Sequence, residues 1–332
     1  MYQDRIFIVL VNYGGHLDTT ACIESILKCR DNNVQIIVID NSPESSSIDY
    51  IKSWADQIDK TNDSDSEPSS LFSFINIDVD DFLQLKQELY HQVILVSKVE
   101  NKGFAAANNV ALRYLIKSVN FTWVWLLNND TIIPEDTLKN IRLGLSNVDD
   151  NVGIVGTKIY YHDKPDLLQG VGGKYNKFFS TSVHVGSNQN DFDYNSKEFR
   201  KNVDYIIGAS MIVRKDLIKD VGLMNESYFL YYEELDWTLR SKSKGWYIDL
   251  LPKVHIYHKE GATISKNQDR ASLLSDKCLI VNRVKLSKKF FPAYLIFVYF
   301  SLIIVLTRRI TRGQTNRLKP ILLALIHQNP LY

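Results

Sequence analysis

The chain has 332 residues, 45% hydrophobic and 23% charged, and its 39 Lys/Arg against 38 Asp/Glu leave a formal net charge of +1. These proportions are ordinary for a soluble globular protein, and the length allows one large α/β domain or two smaller ones. The three cysteines (Cys22, Cys29 and Cys278) have no metal-ligand spacing, which excludes a thiolate metal site, and their odd number suits a reducing cytosol.

The first eleven residues are too short and too acidic for a secretory signal and lead into a first strand. Arg5 to Asn12 is nearly continuous in apolar residues, the mark of a strand buried on both faces. A helix follows over Thr19–Lys28, with Ala21, Cys22, Ile26 and Leu27 on its apolar side. Val34–Ile39 is a second buried strand, ending at Asp40-Asn41-Ser42. Residues 43–92 read as a long connection, and Asp59–Ser70 within it has the composition of a disordered surface loop. Val93–Val96 is a third strand, Phe104–Ser118 a helix and Trp123–Leu127 a fourth strand. This alternation predicts a mainly parallel sheet with right-handed crossovers. Beyond it, Val152–Tyr161 and Asp204–Val213 read as strands separated by a stretch rich in Gly and Asn that includes Gly170-Val-Gly-Gly173. Tyr228–Lys244 contains a helix, and Trp246–Tyr257 a strand or two.

The near-neutral total conceals an asymmetry. Lys277–Tyr332 carries ten Lys/Arg and no acid, leaving 29 basic and 38 acidic residues upstream, a net of −9. Within this tail, Phe290–Leu306 is seventeen residues without a charge, preceded by Lys285, Lys288 and Lys289 and followed by Arg308, Arg309 and Arg312. Seventeen is the lower limit for a spanning helix, and aromatics with flanking cations favour a segment lying in the interface of an anionic membrane. The alternative is a helix packed on the catalytic domain or on a second subunit, which would make a homodimer. The cations are interleaved with aliphatics, an arrangement that argues against nucleic acid.

Four polar clusters close predicted strands: Asn12-Tyr13, Asp40-Asn41-Ser42, Asn101–Asn109 and Asn128-Asn129-Asp130. Strand ends in a parallel sheet share one edge, so the four converge on a nucleotide pocket, although a single Asx after a strand is usually a turn or helix cap. Asp130, at the tip of the apolar Trp123–Leu127 run, suits a hard divalent cation such as Mg2+ or Mn2+. In Tyr228–Arg240, Glu233 and Asp236 share a helix face with Arg240, and Asp236–Arg240 reads as a structural ion pair. Glu234 points elsewhere among aromatics, where its proton affinity rises as a general base requires; the competing reading is a solvated surface glutamate. His255 and His258 follow an apolar stretch in a loop, and His258, just before a turn at Gly261, is the better placed to meet a metal held by Asp130.

In this order, the motifs resemble the family 2 inverting glycosyltransferases of GT-A fold, especially the rhamnosyltransferase-like branch of bacterial surface-polysaccharide pathways, from about Ile6 to Lys289. Asp40-Asn-Ser resembles the motif that holds the nucleotide base, and Asn101-Lys-Gly-Phe-Ala-Ala-Ala-Asn-Asn the Asn-x-Gly-Phe-Ala-x-x-x-Asn signature. Asn128-Asn129-Asp130 occupies the DXD position. Gly208-Ala-Ser-Met-Ile-Val-Arg214 and Val221-Gly-Leu-Met-Asn-Glu226 resemble the strand and loop before the base. Glu234 stands where the family has a catalytic Asp, and His258 matches its late metal-binding His.

The resemblance implies a GT-A nucleotide-diphospho-sugar transferase fold, a mixed but mainly parallel sheet flanked by helices, over residues 1–276. The basic, apolar helical tail would be residues 277–332. It implies donor contacts from Asn12, Asp40, Asn101, Gly103, Asn108, Asn129, Asp130, Gly208 and Ala209, and a Mg2+ or Mn2+ ion on Asp130 and His258. Glu234 would be the base, with Glu233 and Asp236 secondary candidates. The expected reaction moves rhamnose or a similar hexose from a dTDP- or UDP-linked donor to a glycan or lipid-linked acceptor, at the cytoplasmic face of the cell membrane. Two other readings are weighed against it. A sugar-nucleotide nucleotidyltransferase needs basic residues in a Gly-rich loop after the first strand, and Asn12-Tyr-Gly-Gly-His16 has no Arg or Lys. The Glu at the base position keeps an inactive sugar-nucleotide-binding scaffold in view.

Overall fold

The apolar runs set the centre of the molecule. The computed structural model describes residues 5–62, 72–191, 195–259 and 268–326. Ile6–Asn12 forms β1, Val34–Asp40 β2, Phe74–Asp78 β3, Val93–Ser97 β4 and Trp123–Asn128 β5. The remaining strands are Thr131–Ile132 (β6), Val152–Tyr161 (β7), Leu168–Gly170 (β8), Gly172–Asn176 (β9), Thr181–Val185 (β10), Ser210–Arg214 (β11) and Tyr247–His258 (β12). A ten-stranded sheet runs β3-β4-β2-β1-β5-β11-β7-β12-β6, with β8 on β7; β9 and β10 form a separate hairpin.

β1 pairs in parallel with β2 and β5, and β4 pairs in parallel with β2 and β3. The reversal comes at β11, antiparallel to both β5 and β7. Side chains alternate across the pleat. Phe7 and Val9 of β1, with Val124 and Leu126 of β5, pack into the core on one face. Ile6, Ile8 and Leu10, with Trp123, Trp125 and Leu127, pack on the other. With both faces of β1 and β5 covered by apolar packing, the polar residues of these strands stand at their ends, where Asn12 and Asn128 lie.

The covering helices are His16–Leu27 (α1), Ser46–Asn62 (α2), Val79–Gln84 (α3), Phe104–Ser118 (α4), Thr137–Leu145 (α5), Ser196–Asn202 (α6), Lys215–Val221 (α7) and Glu233–Ser243 (α8). Residues 43–92 are therefore not a plain connection: they supply α2, α3 and the edge strand β3. Of the expected disordered stretch, Asp59–Asn62 belongs to α2 and residues 63–70 lie outside the described residues. His255 and His258, expected in a loop, are on strand β12. The register of β12 on β7 shifts between Leu251 and His255, a bulge that takes up Pro252 and Lys253. The turn expected at Gly261 lies outside the described residues.

Three helices follow: Gln268–Phe290 (α9), Leu295–Thr311 (α10) and Leu318–Leu325 (α11). Residue 277, expected to open a separate tail, lies inside α9. Ile280 and Val284 of α9 pack with Val298 and Leu302 of α10 and with Ile321 and Ala324 of α11. Ile296, Phe297, Phe300, Ile303 and Ile304 stay exposed on the opposite side of α10. Pro292–Thr311 is long and apolar enough to cross a membrane, and only 17% of its apolar window is buried.

Candidate active site

The parallel register brings the polar strand ends together as residue neighbours: Asn12 lies opposite Asp40, and Val11 opposite Asn128. Their side chains are wired to one another. Asp40 accepts from Asn12 Nδ2, from Ser47 Oγ at 3.0 Å and from the Ser42 amide at 3.0 Å. Asn12 Oδ1 accepts from Thr19 Oγ1 at 2.8 Å, and Asn129 Nδ2 donates to the same hydroxyl at 2.8 Å. Asn12, Thr19, Asp40, Ser47 and Asn129 are buried, so the network is ordered by the fold itself.

One strand tip away, Asp130 and His258 are both buried, with Oδ1 and Nε2 3.1 Å apart. The Asp130 Oδ1 atom has no hydrogen bond. His258 Nδ1 is 2.7 Å from Gln169 Oε1, an acceptor, so Nδ1 carries a proton, and in the neutral ring Nε2 presents a lone pair. Asn128 Nδ2, 3.3 Å away, donates to that lone pair. A free carboxylate oxygen and an imidazole lone pair, converging, fit a divalent ion that takes its other ligands from a diphosphate and water. Among the described residues there is no group of three or more His, Cys, Asp or Glu that could hold an ion unaided.

The Asn101–Asn109 segment serves as a clamp. Asn101 Oδ1 accepts from the Gly103 amide at 3.1 Å and from Asn41 Nδ2 at 3.3 Å. Gly103 has φ +96°, and a Cβ there would lie 2.7 Å from Phe229 Cα. Only glycine permits that approach. The Phe104 amide then donates to the Phe229 carbonyl at 3.0 Å. Asn109, buried on α4, donates to the Met224 carbonyl and to Glu226 and accepts from the Met224 amide. Asn108 is also buried and donates to the Phe104 carbonyl of its own helix. The signature thus grips residues 224–229, the approach to α8.

That approach ends in a strained turn. Tyr231 (φ +68°) and Tyr232 (φ +75°) are consecutive left-handed residues, a conformation costing about 1–3 kcal/mol for each residue without glycine's freedom. Asn282, fully buried on α9, donates to the Leu230 and Tyr231 carbonyls at 2.8 and 2.9 Å, and Tyr232 Oη donates to the Ser180 carbonyl at 2.6 Å. Glu233 and Glu234 begin α8 directly after it.

Burial pushes the Glu234 carboxyl up to about 7. Glu233 is also raised well above the usual carboxylate range, by burial first and then by the charge of Glu234 beside it. Asp236 pairs with Arg240 at 2.7 Å, as its spacing predicts, and with Lys289 of α9 at 2.6 Å. Glu233 does not join that pair among the described residues. A Cβ at Gly208 would lie 4.0 Å from Glu234 Cβ and 3.9 Å from Phe104. The adjacent Ala209 carbonyl accepts from the Asn128 amide at 2.9 Å, so β11 ties the Glu234 region to the Asp130 region.

Glu234 lines a cavity of about 400 Å3 bounded by Tyr205, Tyr231 and Tyr232, by Thr181 and Ser182 of β10, and by residues of α9 and α10. Asn12, Asp40, Asn129, Asp130 and His258 are not among its lining residues. Gln169, Asn282 and the cavity's Arg283 are site residues that sequence reasoning missed. Each acts on a partner far away in the chain, and no local pattern marks it.

The profile described as "Glycosyltransferase like family 2" matches residues 64–271, more than half of the chain. The chain belongs to glycosyltransferase family 2. It is 24% identical over 261 residues to the dTDP-rhamnosyl transferase RfbF of Shigella flexneri, covering 78% of this chain and 70% of that protein. It is 22% identical over 196 residues to the low-salt glycan biosynthesis hexosyltransferase Agl10 of Haloferax volcanii, 59% of this chain and 61% of that protein. The mannosyltransferase PcManGT of Pyrobaculum calidifontis, solved with GDP-Man and Mn2+, superposes with a TM-score of 0.52 at 12% identity, over 98% of this chain and 87% of that one. The glycosyltransferase accordingly has the GT-A fold, with its mainly parallel sheet and flanking helices.

Proposed function

We propose that this glycosyltransferase is a metal-dependent inverting enzyme that moves rhamnose or a similar hexose from a dTDP- or UDP-linked donor to a lipid-linked glycan during surface-polysaccharide synthesis. The observation that carries the reading is the buried Asp130–His258 pair, with its orphaned Oδ1 and its Gln169-set tautomer. Bound there, Mg2+ or Mn2+ would neutralise charge on the diphosphate and favour departure of the nucleotide.

Glu234 is the base. As a carboxylate it accepts the proton of the acceptor hydroxyl, whose oxygen bonds to the anomeric carbon as the bond to the diphosphate breaks on the opposite face, inverting that carbon. The surrounding tyrosines keep bulk water from the same attack. Asn12, Asp40, Asn129 and Asn101 form the nucleotide end of the site. Gly103 and Asn108 serve it by ordering α4 and the Phe229 approach, and Gly208 and Ala209 let backbone come close to the sugar.

The membrane-seeking segment starts at Pro292, since α9 is bonded into the site through Asn282 and Lys289. The exposed face of α10 would lie in the cytoplasmic leaflet, with Phe178 of the β9–β10 hairpin beside it: its ring is 4.8 Å from Tyr294 and 5.5 Å from Phe297. The deciding experiment offers the purified protein a panel of nucleotide sugars with Mn2+, Mg2+ or chelator. Metal-dependent nucleotide release from one donor is expected. Release unaffected by chelator would overturn the metal assignment, and no release from any donor would favour an inactive binding protein.

A further inference from the structure

We propose that the cavity beside Glu234 is the acceptor site and that Arg283 binds the phosphate of a phosphate-linked glycan carrier there; this rests on the transferase reading above. Arg283 is 8% exposed and lines the cavity. Its Nε donates to the Phe179 carbonyl at 2.5 Å and its Nη2 to Ser301 Oγ at 2.6 Å. Neither partner is charged, and among the described residues no carboxylate lies within ion-pairing distance of it.

Three cations nearby do have carboxylate partners. Arg309, also lining the cavity, pairs with Asp276, and Lys289 and Arg240 share Asp236. A buried guanidinium without a counter-ion is costly unless the site is completed by an anion. Guanidinium suits phosphate in particular, because its planar fork meets two oxygens at once.

The rest of the lining is consistent with such a molecule. Glu234, Thr181, Ser182 and His184 make a polar wall for sugar hydroxyls. Leu279 and Ile280 of α9 and Val305 of α10 make an apolar wall, with Ile280 and Val305 at the seam that packs the two helices together and Leu279 exposed beside it. The volume falls in the range of small-molecule sites, about 300–1,000 Å3. A sugar at Glu234, its phosphate at Arg283 and an apolar chain against Leu279 and Val305 would occupy all three regions. The donor's diphosphate is a different phosphate, because Asp130 and His258 do not line this cavity.

The test is equilibrium binding by the full-length protein, with farnesyl diphosphate, farnesol and inorganic pyrophosphate as probes. Wild type should bind farnesyl diphosphate at least about thirtyfold more tightly than farnesol, the least that loss of a buried charge partner removes. Arg283→Gln should erase the difference, and Arg283→Lys, which keeps the charge, should retain most of it; melting curves of both variants report folding. A preference that survives in Arg283→Gln, or is absent in wild type, overturns the proposal. Pyrophosphate binding as tightly as farnesyl diphosphate would make this a free-anion site and overturn the carrier assignment. Nucleotide release in the donor panel reads the transferase proposal separately, so the two can fail independently.

Discussion

Asn282 donates its side-chain amide to the Tyr231 carbonyl at 2.9 Å, so a residue of α9 fixes the left-handed turn from which Glu234 projects. The same Nδ2 also serves the Leu230 carbonyl. Asn282→Leu would leave both buried carbonyls without this donor, at a cost of about 1–3 kcal/mol. We expect the variant to fold, to lose that stability in urea titration, and to lose turnover with donor affinity largely kept. Unchanged turnover would mean that the turn holds its shape without α9.

Glu234→Gln should retain donor binding and lower turnover by about a hundredfold or more. Glu233→Gln should do far less, because burial and the neighbouring charge favour the neutral form of Glu233, for which an amide is a close substitute. The opposite ranking would assign the base to Glu233.

As the proposed base, Glu234 would work as the carboxylate, so kcat/KM should rise with pH and level off above about 7. Stability should move the other way. A folded-state value raised above the ordinary 4.5 means that the native protein holds the proton more tightly, so its contribution is present at low pH and is lost between about 4.5 and 7. Denaturant titrations across that window should show the fall, and Glu234→Gln should flatten it.

Asp130→Ala should abolish metal-dependent donor binding and transfer. Gln169→Leu is the subtler test, because Gln169 holds the imidazole that would meet the metal. Metal affinity should weaken about 10–100-fold, with the rate restored by excess Mn2+. A rate that excess metal cannot restore would place the role of Gln169 elsewhere.

Much of this was legible in the sequence, and what was not has physical reasons. β1, β2, β4 and β5 are buried on both faces, so their apolar runs are continuous. α4 begins and ends where expected because Gly103 stops the chain from extending upstream. β3 escaped because it is a half-buried edge strand whose residues alternate apolar and polar, following a polar stretch. His255 and His258 were expected in a loop, whereas the strand continues through them after a bulge between Leu251 and His255. Asp130, His258 and Glu234 stood out by motif and spacing. The groups that hold them do not, since Gln169 is 89 positions from His258 and Asn282 is 51 from Tyr231.

Full-length protein should sediment with anionic vesicles at low salt and be partly released at high salt, because the electrostatic share of interfacial binding is screened. A chain ending after Phe291 keeps Lys289 on Asp236 and should stay folded and in the supernatant. Replacing Phe178 and Phe297 together by Ser should weaken sedimentation without unfolding the protein, as both rings are about half exposed. Resistance of the full chain to both salt and alkaline wash would point to a spanning helix, and no sedimentation at all to an oligomer contact.

If α10 rests on a membrane as proposed, the α9 clamp would give the protein a fixed vertical dimension. Glu234 is held by a turn bonded to α9, and α9 packs directly on α10, so a molecule resting on the outer face of α10 would keep this carboxyl at a constant height above the lipid. With Glu234 as the proposed base, only a hydroxyl presented at that height would be deprotonated. Carriers bearing shorter or longer glycans would then be sorted by how far their terminal sugar stands from the bilayer, before any contact with the ring itself is made.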